Sequence, residues 1–204
     1  MIKNLPAILK NFTFCKQDII SYQPDVVMLI DYPGFNLRMA EWTRQNNFRN
    51  IFYISPQVWA WKESRVKSIK KYVDKMIVIL PFEKQFYKNW DYEVDYVGHP
   101  LVQVIENFKS GHPEIIESNN IIALLPGSRK QEIKTKLPVM LEATHDFPEF
   151  TFVVAKAPSI EDEFYEEFLR PFNNVGMVSD NTYSLLMQAY VAIVTSGTAT
   201  LETA

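Results

Sequence analysis

The sequence predicts an α/β protein built on two parallel sheets, and three observations carry that prediction. Eight short apolar runs recur along the 204 residues, in the main continuous rather than alternating. Most are separated by stretches long enough for a helix, as a sheet covered on both faces requires. Between the fourth and fifth runs, ENFKSGHPEIIESNN (106–120) collects Gly, Pro, Ser and Asn and loses the strand pattern. Two Rossmann-like halves with a cleft between them follow: an N-terminal half over 1–107, a linker over 108–120 and a C-terminal half over 121–204. Ligands of such sheets sit beyond the carboxyl ends of the strands.

The N-terminal half opens with Ile2, Leu5, Ile8, Leu9 and Phe12 on one helix face and Lys3 and Lys10 on the polar side. Such a stripe suits an interfacial membrane helix or a core face. DVVMLI (25–30) is the first strand, and IDYPGFN ends it with Asp31 at the carboxyl edge. A buried carboxylate there serves as a general base; a turn aspartate ahead of Pro33-Gly34 is the structural alternative. Asn36 caps the next helix or holds a ligand, and its spacing favours the cap. IFYI (51–54) is the second strand. After it, SPQVWAWKESRVKSIKKYVDK places Gln57, Trp59 and Trp61 before a helix crowded with Lys62, Arg65, Lys67, Lys70, Lys71 and Lys75. Tryptophans at a strand end stack on a sugar or acyl chain, or close a core. The cations suit anionic headgroups or form a solvated face. KMIVIL (75–80) and VDYV (94–97) complete the half.

IIALL (121–125) begins the C-terminal half and runs into LLPGSRKQEI (124–133), a strand, a small-residue turn and a helix start. Ser128 and Gln131 fit a capping box. Gly127 and Ser128 leave unpaired N–H groups at the positive end of a helix, and Arg129 adds a guanidinium fork, which together make an anion site. An ordinary βα loop with a solvated arginine is the alternative. TFVVA (151–155) and VGMV (175–178) are further strands. VAIVT (191–195) runs into SGTATLE, where Ser196, Gly197 and Thr198 form a second phosphate cradle. Glu202, one turn on, accepts hydrogen bonds from sugar hydroxyls or faces solvent. Two such turns in one sheet favour a diphosphate ligand.

Bulk properties narrow the function. A net charge of −3 gives no overall pull toward nucleic acid, so anion binding must be local. The single cysteine, Cys15, excludes an internal disulfide and fits a reducing cytoplasm. His99, His112 and His145 are too scattered for a local metal motif, and no metal or cofactor is expected. No G-x-G-x-x-G follows a strand and no Walker A sequence occurs, which argues against dinucleotide oxidoreductases and P-loop NTPases. No run approaches the roughly 20 apolar residues of a membrane span, and the N-terminus has no signal-peptide core. A protein that is soluble or lies on a membrane surface is expected.

Taken in order, IDYPGFN, SPQVWAWKESRVKSIKKYVDKMIVILPFEKQFY, DYVGHPL, LLPGSRKQEI and SGTATLE closely resemble the lipid-A-disaccharide synthase family, bacterial glycosyltransferases of the two-domain GT-B type. The likeness runs from about residue 20 to the end. It implies inverting, metal-free transfer of 2,3-diacylglucosamine from UDP-2,3-diacylglucosamine to 2,3-diacylglucosamine 1-phosphate, giving the β(1→6) disaccharide of lipid A and UDP. It implies Asp31 as the base on the acceptor 6-hydroxyl and Arg129, beside Gly127 and Ser128, as the balance for the departing diphosphate. Ser196, Gly197 and Thr198 match the diphosphate turn and Glu202 the ribose carboxylate, while Asn36, Gln57, Trp59 and His99 belong to the acceptor side or cleft. The patch of Ile2, Leu5, Ile8, Leu9 and Phe12 is expected to face the membrane, with the protein peripheral on the cytoplasmic face of the inner membrane and a homodimer when complete. Family members are longer, so both halves are expected to be partial and this chain inactive alone. The rival expectations are another GT-B enzyme of UDP-sugars, of the peptidoglycan N-acetylglucosaminyltransferase or UDP-sugar epimerase type, and a non-catalytic nucleotide-sugar binding remnant.

Overall fold

The computed structural model describes residues 5–115, 118, 120–195 and 197–203, and the side chains of all these except 5–9 and 198. The chain divides into two units, 1–100 and 101–204. The break therefore falls earlier than composition suggests. Residues 108–111, expected in a linker, belong to a helix over Pro100–Gly111, α5 in the numbering below. Phe108 packs on Tyr183 with ring centroids 5.4 Å apart, which ties that helix to the second unit.

In the first unit the order is α1 (Leu5–Tyr22), β1 (Val27–Ile30), α2 (Pro33–Gln45), β2 (Asn50–Tyr53), a 3₁₀ turn (Glu63–Arg65) entering α3 (Val66–Tyr72), β3 (Lys75–Val78), α4 (Pro81–Lys88) and β4 (Asp95–Tyr96). The strands pair in parallel in the order β1-β2-β3-β4, stepping one way with no reversal among the described residues. Leu29, Phe52, Met76 and Val78 bury against Met39, Val66 and Ile69 from the helices, so one face of the sheet is covered, while Met28 and Ile30 of β1 and both residues of β4 stay exposed. Phe12 corrects one expectation. It is buried and stacks on Phe35 with centroids 4.0 Å apart, so it faces the core and not a membrane. An aromatic pair gains area burial and ring contact there that an exposed position would forfeit. Ile2 lies outside the described residues, and Leu5, Ile8 and Leu9 lie within α1 without described side chains.

The second unit continues from α5 with β5 (Ile121–Leu125), α6 (Lys130–Ala143), β6 (Thr151–Lys156), α7 (Asp162–Leu169), β7 (Val175–Ser179), α8 (Thr182–Gln188), β8 (Val191–Val194) and α9 (Thr198–Thr203). Its parallel sheet has the order β7-β6-β5-β8. Phe152, Val154, Ile133, Leu137 and Tyr165 fill one face, and Ala123, Leu125, Ala155 and Leu185 the other. The order steps from β5 outward to β7 and then returns past β5 to place β8 on its other side. The two strands at that reversal send their following chains to opposite faces, which opens a crevice at their carboxyl ends. No described helix is long and apolar enough to cross a membrane.

Candidate functional site

The reversal between β5 and β8 sets the position of the site. β5 ends at Leu125 and β8 at Val194, and the two following loops are tied together: the Thr195 N–H and hydroxyl both donate to the Leu125 carbonyl, at 3.2 and 3.3 Å. Above that tie lies a cavity of about 430 Å³, lined among others by Gly127, Ser128, Arg129, Glu132, Lys156, Thr195, Gly197 and Glu202. Both sequence-predicted turns thus meet in one cavity. Ser196 falls outside the described residues; Thr198 opens α9 and its side chain is not described.

Backbone conformation shapes the floor. Gly127 has φ +113° and Gly197 φ +109°, a region that L side chains adopt only with strain. At Gly127 space is closed as well, since a Cβ would meet Glu132 Oε2 at 2.8 Å, whereas at Gly197 it would meet nothing within 4 Å. The helix start differs from the expected capping box. Arg129, with extended φ −116° and ψ 138°, is the N-cap of α6, so Ser128 lies outside the helix and the third helical residue is Glu132, not Gln131. Arginine offers no oxygen to the free N–H groups. Its guanidinium instead donates to Glu132 Oε1 at 2.9 Å, and it remains 81% exposed.

Glu132 and Lys156 are cavity residues that sequence reasoning missed. Lys156, the last residue of β6, keeps a side chain only 10% exposed and pairs with Asp162, the first residue of α7. That hydrogen bond raises the Lys156 pKa, so the ammonium stays charged. Glu202 is half-buried and accepts the Tyr183 hydroxyl at 3.1 Å, which fixes its carboxylate at the cavity edge. Tyr183 is correspondingly held above the usual phenol range, by burial first and by Glu202 second. A slot lined by two glycine-bearing turns, two cations and an anchored carboxylate can hold a phosphorylated ligand and read a neighbouring hydroxyl.

In the first unit, Asp31 follows β1 directly and is exposed, so it lacks the burial expected of it. Its own backbone is strained. Asp31 and Tyr32 are both left-handed, with φ 47° and 43°, each costing on the order of 1–3 kcal/mol for a residue with a Cβ. Asn36 holds that turn. It is not the helix cap, a position Tyr32 takes, but sits inside α2 and donates Nδ2 to the carbonyls of Ile30 at 2.9 Å and Asp31 at 2.7 Å. The Asp31 N–H reaches the Tyr53 carbonyl at 2.9 Å. Gln57 is exposed beyond β2, and Trp59 is partly exposed with its ring edge-on to Phe82 at 4.9 Å. Beneath that loop lies Glu83, 1% exposed, which accepts the Leu80 N–H at 2.9 Å and the Ile79 N–H at 3.3 Å. Burial pushes its pKa up, and hydrogen bonds from Leu80, Ile79, Trp59 and Ser55 oppose that rise. His99 is half-buried, ahead of α5. Several predicted cations are engaged locally: Lys75 with Asp95 at 2.6 Å, Lys70 with the Trp90 carbonyl, and Lys62 and Arg65 over the Trp61 ring at 4.5 and 5.4 Å.

The family model described as Lipid-A-disaccharide synthetase matches residues 1–204. The chain belongs to that family. Among its curated relatives, Lipid-A-disaccharide synthase 1 of Legionella pneumophila (strain Lens) is 39% identical over 100% of this chain and 56% of that protein. Lipid-A-disaccharide synthase of Syntrophus aciditrophicus is 38% identical over 98% of this chain and 55% of that protein. The chain therefore spans about half the length of the lipid-A-disaccharide synthases it matches. Of solved structures, UDP-N-acetylglucosamine 2-epimerase from Rickettsia bellii superposes with a TM-score of 0.64 at 16% identity, over 97% of this chain and 58% of that one. UDP-GlcNAc 2-epimerase from Neisseria meningitidis, bound to UDP-GlcNAc, gives 0.60 at 12% identity over 93% and 59%. What these structures share with the lipid-A-disaccharide synthetase family member described here is the fold: two parallel-sheet α/β halves of GT-B-like architecture.

Proposed function

We propose that this chain carries the donor-diphosphate site and the acceptor-activating residue of a lipid-A-disaccharide synthase. The reaction is inverting transfer of 2,3-diacylglucosamine from its UDP derivative to 2,3-diacylglucosamine 1-phosphate, with UDP released. Family membership supports the reaction, and one observation supports the site: Gly127, Ser128, Arg129, Gly197 and Glu202 line a single cavity at the strand-order reversal. In this reading the loop N–H groups and Arg129 stabilise charge on the leaving diphosphate, an effect typically worth several kcal/mol. Glu202, held by Tyr183, accepts the ribose hydroxyls. Asp31, fixed by Asn36 in its strained turn, takes the proton of the acceptor 6-hydroxyl once substrate excludes water from it. The reading uses no metal, so transfer is insensitive to EDTA. Because both substrates carry acyl chains, the same reading makes the protein a peripheral partner of the inner membrane on its cytoplasmic side.

The test is calorimetric titration of the chain with UDP, joined to transfer by a chimaera in which this chain replaces the matching part of the Legionella pneumophila relative. Arg129→Ala should weaken UDP binding by on the order of tenfold to a hundredfold, as loss of a charged hydrogen-bond donor does. In the chimaera, Asp31→Asn should lower turnover strongly with UDP affinity nearly unchanged. UDP binding indifferent to Arg129 removes the leaving-group site, and full turnover by Asp31→Asn removes the base.

A further inference from the structure

The cavity holds two cations among its described lining residues, Arg129 and Lys156, and each is already paired with a carboxylate. Arg129 pairs with Glu132 and Lys156 with Asp162, so neither cation offers uncompensated charge before a ligand arrives, and Glu202 adds a negative charge at the edge. The lysines that follow Arg129 in α6 do not line the cavity and are engaged elsewhere. Lys130 is bound to Glu161 at 2.7 Å and lies over the Phe164 ring at 5.4 Å, and Lys134 lies over the same ring at 5.8 Å. Lys156 is different in kind from the exposed Arg129: it comes from the end of a sheet strand, and its stem is packed so that only 10% of the side chain is exposed. Packing of this sort removes most of the side-chain entropy that a surface lysine would lose on gripping a ligand.

We propose that Lys156 is a second phosphate-binding cation of the donor site, which exchanges Asp162 for a phosphoryl oxygen and so selects a nucleoside diphosphate over a monophosphate. The proposal rests on the reading of this cavity as a diphosphate site. Arg129 and the loop N–H groups suffice for one phosphoryl group; the second brings additional charge that Lys156 neutralises. The exchange is favourable because neither displaced carboxylate is stranded. Asp162 and Glu132 both lie in the first turns of their helices, α7 and α6, where the helix dipole stabilises an anion without a side-chain partner. The acidic groups acting on Lys156 are Asp162 and, at longer range, Asp180, with the Tyr165 hydroxyl nearby. Asp162 is the one whose hydrogen bond must yield.

Titration of the chain with UDP, UMP and uridine tests this, with Lys156→Met, Lys156→Arg and Asp162→Asn. Lys156→Met should lose about tenfold or more in UDP affinity, about 1.4 kcal/mol, and much less for UMP. Uridine binding should not change. Lys156→Arg should retain most UDP affinity, and Asp162→Asn should strengthen UDP binding by removing the competing carboxylate. Equal losses for UDP, UMP and uridine would show that Lys156 only supports the fold, and unchanged UDP affinity would show that it does not meet phosphate; either overturns the proposal. Absence of UDP binding by the unaltered chain is a separate result. It removes the diphosphate reading itself, and this inference with it.

Discussion

At Gly127, two constraints meet in one residue. The left-handed backbone and the 2.8 Å approach to Glu132 Oε2 both exclude a Cβ, while Glu132 is the partner that orients Arg129. Gly127→Ala therefore strains the loop and pushes Glu132 off the guanidinium. Gly197→Ala suffers only the first effect, because space is open there. Thermal melts and UDP titrations of both variants should show a stability loss of about 1–3 kcal/mol for each and a drop in UDP affinity for both, each larger at Gly127→Ala. Parity of the two variants in both measurements would mean that the close contact has no consequence.

Glu83 shows how a single helix start stores a pH dependence. It sits at the third position of α4 and satisfies the N–H groups of Leu80 and Ile79 from a fully buried site. Burial raises its folded pKa above the ordinary 4.5, so the native state binds the proton more tightly than the unfolded chain does. This carboxyl's contribution to stability is therefore fully present below pH 4.5 and declines as pH rises toward the raised value. Urea midpoints of the unaltered protein should fall across that window relative to Glu83→Gln, which cannot ionise. A parallel pair of pH profiles would sink the assignment. The same scale shows what sequence alone could reach. The eight strands among the described residues were legible, because most are runs of β-branched and other apolar residues bounded by turn signals, although β4 is short and exposed. Helix starts were less so. The α6 cap was misplaced by one residue, since the chain stays extended through Arg129 before turning helical, and composition does not encode that backbone conformation. Asn36 looked like a cap and instead ties down the carbonyls of Ile30 and Asp31, a contact set by the left-handed pair before it. Glu132 and Lys156 carried no motif. Their place in the cavity follows from strand order, and strand order is a long-range property.

The two units keep separate cores. One is built around Phe52, Met76 and Tyr87, the other around Phe152, Leu124 and Tyr165, and every predicted phosphate contact lies in the second. Phe52→Ala and Phe152→Ala should each destabilise by about 3–5 kcal/mol, the usual result of emptying a buried aromatic site. Only Phe152→Ala should disturb UDP binding at temperatures where the unit begins to loosen. Circular dichroism melts in the presence and absence of UDP check this, with ligand-dependent protection expected for the second unit's transition alone. Loss of UDP binding in Phe52→Ala would mean the units are not energetically separable.

The ladder joining β5 to β8 has a practical consequence for anyone designing inhibitors. Paired strands sit about 4.8 Å apart wherever they run side by side, and β5 and β8 stay paired from Ile122–Val191 to Leu125–Val194. The two turns therefore leave the sheet from strand ends one ladder spacing apart, held there by the Thr195 bonds to Leu125. A stiff dianionic scaffold matched to those strand ends would find its backbone frame in place, and its selectivity would come from how readily it draws Lys156 from Asp162.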